Sequence, residues 1–300
     1  MPNPRDFQRF EDYYVEAKGR VDARLDEILA NSEGFSSKRK ILAHATEGGK
    51  RVRPVLTLLV ADVYGVEYDK ALDHAAIVEL IHSASLLVDD RYDEDVTRRG
   101  APALWKILDK LPFGRRGHKV TTGLTVMAEN GLMALALELA DDPDVVQAMG
   151  RGTKHLVDGF FMEGRNFTWG VLGGGYDKYI EINRCKTGGL FAMASWMPAT
   201  YIDVPSEQEN AARKYGEEAG ILYQVADDIA DNDIPSFIAD EEAELEKWYD
   251  NCVRWIDQMP EGEEKDLMYV APSWMVYRML EQDSVLDEVD VDFIPSGVTA

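Results

Sequence analysis

The sequence predicts an all-α protein, a bundle of about ten helices in one domain, and three observations carry that prediction. Apolar residues recur at three- and four-residue intervals through ten separate segments, the spacing that lays an apolar stripe along a helix. Runs that alternate apolar and polar residues, as a half-buried strand would, are scarce. Glycine and proline breaks join the segments by short connections, with no Pro-, Gly- or Ser-rich linker, low-complexity block or short repeat.

The first helix covers 6–30 and stops before Gly34; the second, 37–46, stops at Gly48-Gly49. The third spans 54–63 and closes at Gly65, and the fourth runs over 70–93, ahead of a break at Gly100-Ala101-Pro102. After Pro112 come 123–139 and 145–161, and the glycines of 170–175 read as a connector because no strand precedes them and no Lys-Ser/Thr follows. The segment 177–197 is interrupted at Lys186-Thr187-Gly188, where a kink is expected. Helix 206–231 lies between Pro205 and Pro235, and 239–259 and 264–281 complete the bundle. Residues 285–300 read as a loose acidic tail on a single 1–300 domain.

Lys+Arg 32 against Asp+Glu 55 leaves a formal charge of −23, which repels a phosphate backbone and excludes nucleic acid as an expected partner. Salt screens such self-repulsion over ~3 Å at molar strength, so the excess suits a halophilic protein; full stability in salt-free buffer would contradict that. Two cysteines, Cys185 and Cys252, allow no disulfide framework and no Cys-based zinc site. No uninterrupted apolar stretch approaches the ~20 residues of a bilayer span, and residues 1–10 are too polar for a signal peptide. A soluble, cytoplasmic chain without a transmembrane segment is expected.

Two constellations stand out. Asp89, Asp90 and Asp93 form D-D-x-x-D, with Asp89 and Asp93 one turn apart on one helix face, and Asp227, Asp228 and Asp231 repeat the spacing after a second apolar run. Carboxylates gathered at the ends of two largely buried helices are an electrostatic cost unless cations sit between them. All-oxygen ligation completed by substrate phosphates is the preference of Mg²⁺. Cations are scarce enough to be informative: Lys50, Arg51 and Arg53 follow the Gly48-Gly49 turn, Arg98-Arg99 follow the first cluster, and Lys186-Thr187 break a helix. Together these residues describe a diphosphate pocket.

They resemble the trans-isoprenyl diphosphate synthases, the polyprenyl synthetase family, in a form similar to the geranylgeranyl diphosphate synthases. The matching motifs are G-G-K-x-x-R-P at 48–54, H-x-x-S-L, D-D-x-x-D and R-R-G within 82–100, K-T at 186–187, and G-x-x-x-G, Q and D-D-x-x-D within 216–231, in the family's order. The resemblance implies an isoprenoid synthase fold around a central cavity, a homodimer, and three Mg²⁺, replaceable by Mn²⁺, clamping an allylic diphosphate between the aspartate clusters. It makes Asp89, Asp93 and Asp227 direct metal ligands, with Asp90, Asp228 and Asp231 as direct or water-mediated support. Gly49, Lys50, Arg53, His82 and Arg99 match positions that hold isopentenyl diphosphate. Arg98, Lys186, Thr187 and Gln224 match positions around the allylic diphosphate and the developing cation. The implied reaction ionises the allylic C–O bond, adds isopentenyl diphosphate to the cation and releases a proton.

The departures are as informative. The lysines usual after the second cluster are missing, with no cation between Asp231 and Lys247; Glu129-Asn130 stand where the family has Gly-Asp, and Val88 replaces a common His. A class I terpene cyclase and a weakly active or regulatory subunit therefore stand as alternatives. Val78, Ile81, Ala84 and Ser85 stack below Asp89 as the expected chain-length wall. Neither Ala84 nor Ser85 is aromatic, so by family analogy the product is geranylgeranyl or longer.

Overall fold

The computed structural model describes residues 3–32, 36–112, 117–169, 175–262, 264–282 and 293–294. Within them lie twelve α-helices: α1 (Pro4–Asn31), α2 (Ser36–Thr46), α3 (Val52–Tyr64), α4 (Tyr68–Tyr92), α5 (Leu104–Asp109), α6 (Gly117–Leu139), α7 (Pro143–Trp169), α8 (Gly175–Asn183), α9 (Gly189–Thr200), α10 (Ser206–Ala230), α11 (Glu241–Ile256) and α12 (Lys265–Gln282). Each periodic segment appears, most within two residues of its expected ends. α6 begins six residues early and α7 continues eight residues further. The short α5 and a two-residue hairpin, β1 (Thr97–Arg98) and β2 (Ala101–Pro102), were not anticipated.

The innermost element is α9, buried at every position from Gly189 to Ala199. It packs against α10, α7, α3 and α4, while α6 covers the other side of α4, and α11 and α12 lie against α10. Glycines make the closest approaches: a Cβ on Gly216 would stand 2.2 Å from the Phe191 carbonyl oxygen, so α9 and α10 touch backbone to backbone there. α1 closes the bundle through Phe7, Phe10 and Tyr14, which pack their rings on Tyr277 and Trp274 of α12.

α4 and α10, the two aspartate helices, end alike. Asp93 and Asp231 are their C-cap residues, and the next residues, Glu94 and Asn232, take positive φ of 60° and 57°. Asp95 N–H bonds back to the Asp90 carbonyl at 3.0 Å and Asp233 N–H to the Asp228 carbonyl at 2.8 Å, the Schellman closure. Each motif therefore sits where a helix presents its carbonyl end. The expected break after α4 is instead a tight hairpin whose two loop residues, Arg99 and Gly100, both have positive φ, as a type I′ turn requires.

The expected kink at Lys186 has a specific form. Residues Arg184–Gly188 make a π-helical turn that joins α8 to α9, one extra residue accommodated within a helical rod. One expectation gains a qualification and one a correction. α4 and α6 are long and apolar enough, by length and composition, to cross a membrane, although two thirds of the most apolar window of α4 and one third of that of α6 are buried in the bundle. Of the acidic tail, residues 293–294 are described, and Phe293 is not loose: it is 3% exposed and stacks on Tyr249 at 4.5 Å. The rest of 285–300 lies outside the described residues.

Candidate active site

A cavity of about 440 Å³ opens between the ends of α4 and α10. Cations from three separate segments line it, Lys50–Arg53, Arg98–Arg99 and Lys186, together with Asp89 and Asp227, and Leu86, Leu156, Phe160 and Leu190 supply apolar wall.

The basic wall is held by one buried carboxylate. Glu79, 1% exposed on α4, pairs with Arg51 and Arg99 and accepts a hydrogen bond from the Ser83 hydroxyl. Arg51 also pairs with Asp22 at 2.7 Å and donates to the Thr46 carbonyl at 2.6 Å, from a left-handed backbone (φ 58°) at the start of α3. A Cβ on Gly49 would stand 2.3 Å from the Arg51 guanidinium, so glycine is required where the two arginines pass. Arg53 differs: its Nε is buried without a hydrogen-bond partner, and its guanidinium stacks on Phe191 at 4.6 Å. Its Nη1 donates to His82 Nε2 at 3.2 Å, and burial together with the surrounding arginines holds His82 neutral. An unpaired cation in an apolar setting is a place for an anion.

On the acidic wall the two clusters share one logic. The first aspartate of each faces the cavity, and the second is held from behind. Asp90 pairs with Arg98, which also reaches Asp95. Asp228 accepts hydrogen bonds from Tyr179 at 2.5 Å and Gln224 at 2.9 Å, and Gln224 in turn accepts one from Thr187 at 2.7 Å. Asp89 keeps a buried Oδ1 with no hydrogen-bond partner among the described residues, with Lys186 3.6 Å from it and Arg98 3.6 Å from Oδ2. Burial, reinforced by Asp231 and Asp228, pushes Asp227 up to about 6. Burial alone would lower Lys186, but Asp89 and Glu163, the latter paired at 2.7 Å, outweigh it and raise the ammonium.

Asp93 and Asp231 lie exposed at the helix ends, and among the described residues no three carboxylate, imidazole or thiolate groups converge as a metal site. The donor set still fits divalent ions shared with a ligand: carboxylates of raised proton affinity and an orphaned oxygen, facing a cavity whose far wall binds anions.

Of the expected chain-length wall, only Ser85 lines this cavity. Val78, Ile81 and Ala84 are at most 2% exposed within the core, because α4 turns their side of the helix toward its neighbours. Residues missed from the sequence include Glu79, Glu163, Tyr179 and Tyr223. Glu79 carried a signal, a lone carboxylate inside the apolar run 75–87.

Comparisons with known proteins agree with this geometry. The Polyprenyl synthetase family model matches residues 37–241. A geranylgeranyl pyrophosphate synthase from Geoglobus acetivorans is 30% identical over 218 residues, 70% of this chain and 64% of that protein; the match thus spans under two thirds of that relative's length. Among solved structures, an FPP/GFPP synthase from Zymomonas mobilis superposes with a TM-score of 0.76 at 22% identity, covering 90% of this chain and 99% of that one. A decaprenyl diphosphate synthase from Rhodobacter capsulatus gives 0.75 at 20% identity, covering 91% and 99%. With an all-α cavity flanked by two aspartate-ended helices and a family match over two thirds of its length, the chain belongs to the polyprenyl synthetase family of trans-isoprenyl diphosphate synthases.

Proposed function

We propose that the protein is a Mg²⁺-dependent trans-prenyltransferase that condenses isopentenyl diphosphate with an allylic diphosphate, giving an all-trans prenyl diphosphate of geranylgeranyl length or longer. The observation that carries this reading is that one apolar-walled cavity is lined both by the Arg53 guanidinium, which has no carboxylate partner among the described residues, and by Asp89, whose buried Oδ1 has no hydrogen-bond partner among them. Asp89, Asp93 and Asp227 would hold the Mg²⁺ ions, three by the family pattern, which when bound would supply counter-charge to a departing diphosphate. Lys186 stands beside the same carboxylates, where it meets that negative charge. Lys50 and Arg53 orient isopentenyl diphosphate so that its double bond forms the new C–C bond. Leu156, Phe160 and Leu190 keep water from the cation. The diphosphate takes the proton lost from the adjacent carbon, so no protein nucleophile is required.

Incubating the pure protein with Mg²⁺, isopentenyl diphosphate and each of dimethylallyl, geranyl and farnesyl diphosphate should yield longer prenyl diphosphates. A cyclic hydrocarbon, or no product, would replace this reading. Lys50→Ala and Arg53→Ala should each raise the KM for isopentenyl diphosphate about tenfold or more, the weight of a lost charged contact of roughly 1.5–3 kcal/mol; Lys186→Ala should chiefly lower kcat. Steady-state kinetics against each substrate checks the split. Because Ser85 faces the cavity and Ala84 the core, Ser85→Phe should shorten the main product by at least one five-carbon unit. Ala84→Phe should instead destabilise the fold by ~1–3 kcal/mol. Product chromatography and thermal unfolding separate the two effects.

One observation favours a second reading, a weakly active or regulatory subunit. The first cation after the second cluster, Lys247, lies over the Tyr176 ring at 4.4 Å and pairs with Glu244, leaving no lysine from that loop at the cavity. A homodimer is supported by α6, which leaves Val126, Met127 and Leu137 at 42–62% exposure on a helix otherwise packed on α4.

A further inference from the structure

A second cavity of about 310 Å³ lies behind the π-helical turn, and its charge is the reverse of the molecule's. Three guanidinium groups from three different elements, Arg151 of α7, Arg184 of the turn and Arg213 of α10, line it against one carboxylate, Glu217. In a chain of net charge −23, a cation excess converging on one hollow is the opposite of what the average surface supplies. Close packing brings the arginines together: a Cβ on Gly152 would stand 2.7 Å from Met193, and one on Gly189 2.8 Å from His155. α7 and α9 therefore touch beneath the hollow.

The cations are not consumed by their surroundings. Glu217, 7% exposed, is shared by Arg184 at 2.8 Å, Arg213 at 3.4 Å and Lys214 at 3.1 Å, one negative charge against three positive ones. Arg151 lies over the Trp196 ring at 5.1 Å and has no carboxylate partner among the described residues. Guanidinium groups present fork-like donors that match phosphate oxygens, and partial burial strengthens the attraction. Trp196, Met193 and Ala192 give the same hollow an apolar side.

We propose that this cavity is a second anion site, taking a compact phosphate-bearing anion such as inorganic diphosphate or a short diphosphate ester, and that its occupancy is felt at the active cavity. The coupling element is the turn Arg184–Gly188. Arg184 and Gly188 line the second cavity, whereas Lys186 and Thr187 between them line the first. An anion that draws Arg184 away from Glu217 acts on the backbone that positions Lys186 and Thr187. The binding site stands on its own geometry; the coupling rests on the proposed function.

The test is calorimetric titration of inorganic diphosphate into wild-type protein, Arg53→Ala and Arg151→Ala/Arg213→Ala, in metal-free buffer of low ionic strength. Arg53→Ala should retain a binding event that the double variant weakens at least tenfold. Arg151→Gln, which changes an exposed side chain and leaves the partners of Glu217 in place, should weaken the same event at least threefold, covering the case in which the double variant does not fold. Isopentenyl diphosphate titrated into Arg53→Ala identifies the ligand: tighter binding than inorganic diphosphate assigns an ester, equal binding the inorganic ion. Unchanged affinity in both arginine variants overturns the site. Initial rates with added diphosphate, compared between wild type and Arg151→Gln, read the coupling, and identical inhibition curves overturn it. A protein that binds diphosphate at these arginines but forms no prenyl product would refute the proposed function and leave the site standing.

Discussion

Asp89→Ala and Asp227→Ala are each expected to lower kcat/KM at least about a thousandfold, roughly 4 kcal/mol of transition-state stabilisation, without unfolding the protein. The two carboxylates face one cavity, so removing either leaves the departing diphosphate without half of its counter-charge. The effect of Asp227→Ala on stability has the other sign. Burial and two neighbouring aspartates raise Asp227 to about 6, above the ordinary carboxylate value it takes in the unfolded chain. The folded state therefore binds the proton more tightly, and the stabilisation this gives is complete below the ordinary carboxylate range and lost as pH rises through about 6. At pH 7 to 8 in metal-free buffer the ionised group is a net cost, and Asp227→Ala should melt no lower than wild type. Added Mg²⁺ and diphosphate should stabilise wild type more than the variant, which keeps only the second anion cavity. Wild-type turnover in either variant would break the shared site, and a markedly lower melting temperature for Asp227→Ala at pH 8 would contradict the electrostatic account.

Glu79→Ala is expected to be the most destabilising single change near the cavity, by ~3–5 kcal/mol, the cost of removing one partner from a buried ion pair. It would strand the Arg51 guanidinium at 5% exposure and deprive Arg99 of its carboxylate. The loss reaches substrate binding, because Arg51 and Arg99 hold the turn that presents Lys50 and Arg53. Urea unfolding should show a lower midpoint, and Glu79→Gln, which keeps the shape, should recover part of the stability while leaving the KM for isopentenyl diphosphate raised. Stability within 1 kcal/mol of wild type for Glu79→Ala would show that Asp22 and the Thr46 carbonyl suffice to hold Arg51.

The aspartate helices were legible because their signal is local: periodicity gives the helix, and the D-D-x-x-D spacing gives its charged end. The division of labour within each pair was legible only through the family resemblance, and the partners that enforce it were not. Asp90 and Asp228 are turned from the cavity by Arg98 and Tyr179, partners 8 and 49 residues away, and nothing in the motif announces them. The part of the chain-length wall that lines the cavity was not legible, for a related reason. Stacking of Val78, Ile81 and Ala84 under Asp89 follows from helix geometry, but which face of α4 meets a cavity depends on where α6 and α9 pack. Glu79 was visible as a lone charge in an apolar run, yet its meaning needed two arginines from distant turns.

The π-helical turn has a consequence for how this chain tolerates insertion and deletion. Each α-helical residue advances ~100° around the axis, so one extra residue at 184–188 sets α8 and α9 out of phase with the continuous helix they would otherwise form. Ile180 before the turn and Leu190 after it both reach the core across that offset. Deleting any one residue of the turn would relax it to ordinary helix and rotate α9 by a full position against α3, α7 and α10, or rotate α8 instead. The residue count of this rod is fixed by the packing on either side.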